Sequence, residues 1–189
     1  MGEFRTIDEL AAQVGHFCWL EHRIFELTGA WASEPAPDVA AINVFFHTAS
    51  MVHGGLAVEW RGHLPVRAAI DPDAFVVPPP APAAAVMADL AGAADQVTRL
   101  SGLVGVVLPR LLATYSADLV QASPVSEAPV RALLALAAFS GQSELERGNR
   151  LLQSALQIAE QPGKVREFGQ ALERSLNDTI GIFPSAWAS

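Results

Sequence analysis

The chain has 189 residues, of which 51% are hydrophobic and 17% charged. That is apolar enough for a well-buried core and short enough for one, so a single domain over 1–189 is expected and disorder is excluded. Twenty acidic against twelve basic residues give a net charge of -8, with Lys164 the sole lysine, which argues against nucleic acid or an anionic membrane as a partner.

In chain order, Thr6 and Glu9 form a capping-box pattern that opens a first helix, running to about Thr28 with Gly29 to close it. Along it Leu10, Val14, Phe17, Ile24 and Thr28 step at intervals of four and three, and the member missing from that apolar series is Glu21. Asp38 can cap a second helix over about 39–61, ended by Gly62 and Pro65. The next stretch, LPVRAAIDPDAFVVPPPAPAA, carries six prolines and no period. Its Ile70, Phe75, Val76 and Val77 are too apolar for a free linker, so it reads as an ordered crossover.

From Ala83 to Gln121 a third helix is expected, with Leu90, Ala94, Val97, Val104, Leu108, Leu111, Tyr115 and Asp118 on one face and a kink at Pro109. Ser126 as N-cap and Pro129 in the first turn start a fourth, reaching about Glu160. A shorter fifth carries Val165, Phe168, Leu172, Leu176 and Ile180. The expected fold class is all-α: a ferritin-like four-helix bundle with a long crossover between helices 2 and 3 and a short C-terminal helix.

Such bundles hold two metals with inward carboxylates and Glu-x-x-His pairs, because residues three apart share a helix face. No Asp or Glu here is followed three positions later by His, and His16, His22, His47, His53 and His63 all lie in the first third. No metal and no cofactor is therefore expected. Cys18 is alone, which excludes an intramolecular disulfide, and its apolar surroundings suit a buried thiol. The N-terminus lacks the apolar core of a secretory signal and no eighteen-residue apolar run occurs, so a cytoplasmic, non-membrane protein is expected.

The stretches LEHRIFELTGAW, EWRGHLP, AIDPDAF and SPVSEAPVRALLALA resemble a group of small actinobacterial ferritin-like proteins, over about residues 14 to 155. The resemblance implies the bundle fold. Of the ligands it would carry over, Glu21 and His53 have counterparts; Ser140, Gly141 and Gln142 stand where an acidic set is usual, and Gly54, Gly55, Leu56 and Val58 follow His53 in place of further ligands. It thus implies a member with a degraded metal set.

A carboxylate in a core stripe needs a partner. The plainer reading is a structural salt bridge from Glu21 to Arg61, Arg131 or another helix residue. The sharper one is a pocket at the old metal position, lined by His53, Tyr115, Ser140, Gln142 and Arg61, in which Glu21 is a general base or counter-ion for a small polar metabolite. Three functions follow: an accessory subunit stabilising a partner enzyme as a homo- or heterodimer, with the tail residues Ile182, Phe183 and Trp187 docking on another chain; a metal-independent enzyme; or a di-iron oxidase drawing on Glu21, His47, His53, Glu59 and Glu144.

Overall fold

The computed structural model describes residues 5–36, 39–66, 70–159, 161–176 and 181–183. Among them it is all-helical, without a strand: α1 (Ile7–Ala32), α2 (Ala40–Gly62), a 3-10 turn (Pro72–Phe75), α3 (Ala83–Ala91), α4 (Gln96–Gln121), α5 (Ala128–Ile158) and α6 (Pro162–Ser175).

Helix α1 starts as its sequence dictates. Thr6 accepts from the Glu9 backbone N–H while the Glu9 carboxylate accepts from the Thr6 N–H at 2.7 Å, so two orphan donors of the first turn are satisfied together. It runs past Gly29 to Ala32, with Ser33 as its C-cap, because Trp31 is buried in the core and holds the last turn in place. Helix α2 begins at Ala40 with Val39 as a cap that makes no side-chain bond; Asp38 lies outside the described residues.

The crossover is ordered where it is described. Asp71 accepts from the Asp73 N–H and starts the 3-10 turn, and Asp73 accepts from Arg61 Nε and Nη2, at 2.6 and 2.9 Å. Its backbone lies directly on α1, since a Cβ at Gly15 would stand 1.9 Å from the Phe75 carbonyl oxygen. Only a residue without a side chain permits that approach.

The expected third helix is two. Gly92 closes α3, and the Asp95 carboxylate accepts from the Val97 and Thr98 N–H groups to open α4, so Ala94 lies between helices. Local capping chemistry here outweighs a period that continues across the break. Ahead of Pro109 the helix widens into a π turn at Leu103–Val107, which accommodates the ring without ending the helix. Helix α5 is preceded by Glu127 in place of the expected Ser126 cap. Glu127 is buried, receiving Arg5 at two bonds of 3.0 Å and the Ser123 N–H.

Helices α1 and α5 run one way and α2 and α4 the other around one core, since Gln96 at the start of α4 bonds the Trp31 carbonyl at the end of α1 while Asp118 near its end bonds Gln13. Paired contacts fix the directions: Ser50 with Gly29 and Ala57 with Cys18 for α1 against α2; Leu112 with Gly141 and Val104 with Gly148 for α4 against α5. Phe17 forms the centre, its ring 4.8 Å from both Trp60 and Tyr115 and 5.3 Å from Phe183. Helix α6 covers α4, with Phe168 and Leu172 against Gly102. Ile182 and Phe183 are buried in this chain's own core, Ile182 tied by its N–H to the Arg110 carbonyl and the Thr114 hydroxyl. They are therefore not a free docking tail; Trp187 and Ile180 lie outside the described residues.

Helices α2 and α4 are long and apolar enough to cross a membrane by length and composition, with 44% and 50% of those windows buried inside the protein. A core helix meets the same criterion.

Candidate functional site, a buried polar cluster

Glu21 is fully buried, as its place in the α1 stripe dictates. Neither Arg61 nor Arg131 reaches it: Arg61 is exposed and holds Asp73, and Arg131 donates to the carbonyls of Leu119 and Ala122. The partners come from the other long helices instead. Tyr115 of α4 donates its hydroxyl to Glu21 Oε1, and His53 Nδ1 of α2 meets Glu21 Oε2. On the far side of the imidazole, Nε2 lies 3.2 Å from Glu144 Oε2 of α5, off the line a hydrogen bond needs, so that contact is held by charge.

One side chain from each of four helices thus meets at the middle of the core. Burial alone would depress the His53 pKa, but the flanking carboxylates of Glu144 and Glu21 outweigh it and push it up to about 10. That direction favours the protonated imidazolium at neutral pH. Tyr115 is raised well above its ordinary value, first by burial and then by the Glu21 charge, so it remains a neutral donor. One turn further along α4, buried Asp118 accepts from Gln13 at 2.5 Å and extends the polar contact between α4 and α1.

The cavity among these groups is about 10 Å³, lined by Glu21, His53, Tyr115, Gly141 and Glu144 with leucines of α2 and α4. That admits about one water and no organic substrate. Of the residues expected at such a pocket, His53 and Tyr115 line it. Ser140 is half-buried and away from it, Gln142 is exposed and donates to Glu146, and Arg61 belongs to an outer groove. Glu144, offered by the sequence only for the di-iron reading, is the further member. Its two oxygens are buried without a hydrogen-bond partner.

Among the described residues no three His, Cys, Asp or Glu side chains are arranged to hold an ion, and both ring nitrogens of His53 already face carboxylates. His47 and Glu59 face outward on α2, far around the helix from His53. His63 bonds the Glu59 carbonyl and His16 faces the Val77 carbonyl, so they serve local structure.

The outside of the same helix is apolar. A groove of about 870 Å³ runs between α1 and α2, lined by Cys18, Phe25, Met51, Gly54, Gly55 and Val58, with His22 and the Arg61–Asp73 pair at its edges. At Gly54 a Cβ would stand 2.9 Å from the Phe25 ring, which would have to shift; at Gly55 a Cβ would meet nothing within 4 Å. Glycine in a helix interior costs about 0.5–1 kcal/mol relative to alanine, and at Gly55 nothing inside the chain offsets it.

No protein-family model, curated protein or solved structure matches this chain.

Proposed function

We propose that this protein works by binding rather than by catalysis: a bundle of ferritin-like form that has given up its metal centre and serves as an accessory subunit, stabilising a partner enzyme. The observation that carries this reading is the contrast in space. The polar cluster encloses about 10 Å³, room for one water, whereas the outer surface offers an apolar groove and large exposed side chains such as Phe139 on α5, 73% exposed. A substrate has no way to reach Glu21, so neither base nor counter-ion chemistry on a metabolite is supported there.

The test is co-expression with candidate partner proteins, chiefly products of neighbouring genes. The chain should raise a partner's soluble yield; Phe139→Asp should reduce that effect, and Tyr115→Phe, which alters only the interior, should leave it in place. Stoichiometric iron or manganese in protein from metal-supplemented cells would overturn the reading. So would a measured conversion lost in Tyr115→Phe and retained in Phe139→Asp.

A further inference from the structure

We infer that the outward face of α2 is a homodimer interface, in which two copies pair α2 against α2 antiparallel about a two-fold axis near residue 53. This dimer does not depend on a partner protein.

Three observations carry it. The first is exposure in register. Val44, Met51 and Val58 recur every seven residues and are 66%, 68% and 71% exposed, a stripe directly opposite the buried face that carries His53. Between them on the same face stand Thr48, Gly55 and Gly62, which are small.

The second is self-complementarity. In an antiparallel pair centred on residue 53, Met51 of one copy lies over Gly55 of its partner, Val44 over Gly62 and Val58 over Thr48. Every large side chain meets a small one, and the two-fold repeats each contact. A Cβ at Gly55 or Gly62 would touch nothing within 4 Å among the described residues, which leave both notches unused. A two-fold interface needs such a self-matching patch.

The third is charge and size. The chain carries a net charge of -8, which drives copies apart, yet the stripe formed by Val44, Thr48, Met51, Gly55, Val58 and Gly62 bears no charge, and Arg61 beside it is held by Asp73. Val44 to Gly62 spans about 27 Å, and with the rim of the neighbouring groove the face is about 20 Å wide, from helix diameters and spacings. Two such faces would bury roughly 1,100 Å², just above the ~1,000 Å² a specific interface needs. A moderate, concentration-dependent dimer is expected.

Sedimentation of the full chain across micromolar concentrations tests this. The expected result is a species of twice the 20.0 kDa chain mass that dissociates on dilution. Gly55→Arg places a charge in open solvent in the monomer and in the interface in the dimer. It should weaken association about tenfold or more with an unchanged helical circular dichroism spectrum. Register is read by mixing Met51→Cys and Gly55→Cys proteins under oxidation, where the mixed disulfide should outrun either self-disulfide. A monomer at every concentration would overturn the inference, as would a dimer indifferent to Gly55→Arg. Flotation of wild-type monomer with phospholipid vesicles, lost in Gly55→Arg, would assign the face to lipid and equally overturn it.

Discussion

The two faces of α2 invert the usual arrangement. Inward, at the centre of the core, stands a charged His53 between two carboxylates; outward, in solvent, stand Met51 and Val58. The inner face is closed and its groups are mostly partnered within the chain. The outer face is open and its glycine notch is unfilled. A charge removed from water is held only by its neighbours, so the inner face tolerates little change, while the outer one is free to vary in the monomer.

The sharpest way to break this contrast is His53→Ala. It leaves Glu21 and Glu144 buried without a cation, and an effect of about 3–5 kcal/mol is expected in urea unfolding. A loss as small as a surface substitution would mean that water reaches the cluster and that the two faces are not so different. Replacing Glu21, His53 and Glu144 together by apolar residues of similar volume should recover most of the loss, because no charge then remains to be paired.

Tyr115→Phe removes the hydroxyl that Glu21 Oε1 accepts. The expected cost, read by the same unfolding experiment, is about 1–3 kcal/mol.

The pH dependence follows from the raised His53 pKa. The folded state binds its proton more tightly than the unfolded chain, so this stabilisation is complete below the unfolded value of 6.5 and is lost as pH rises through about 10. Between those limits unfolding free energy should fall by about 1.4 kcal/mol per pH unit. A flat stability profile over that window would show His53 to be neutral.

The smallest expected effect belongs to the outer face. Gly55→Ala adds a methyl that meets nothing in the chain, so the folded monomer should gain about 0.5–1 kcal/mol, measured under dissociating dilution. Gly54→Ala, one residue away, should gain less or lose stability, because its methyl must displace the Phe25 ring.

How much of this was legible in the sequence varies with the range of the interaction. The Thr6–Glu9 box and the helical periods are local and were readable. The single long third helix was over-read, since the period across Leu90 to Val97 hides the Gly92 and Asp95 caps. Glu21 stood out as a polar residue in an apolar stripe, but its partners lie 32 and 94 residues away, and charge alone pointed to arginines that are engaged elsewhere. Glu144 enters from sequence only as a ligand of the di-iron alternative, since without a Glu-x-x-His partner no spacing sets it beside Glu21. The signal for it was present: Val130, Leu133, Ala137, Gly141, Glu144, Gly148 and Leu152 follow the same four-three series that marked Glu21, and all are buried. A polar residue in a core stripe on one helix is reason to look for another on the next.

The most direct measurement is ¹⁵N NMR of the His53 ring from neutral pH to pH 10, with and without added ferrous iron. The expected result is an imidazolium that keeps both ring protons past pH 8 and does not respond to the metal. A ring that titrates near 6.5, or whose signals shift or broaden with stoichiometric iron, would contradict it.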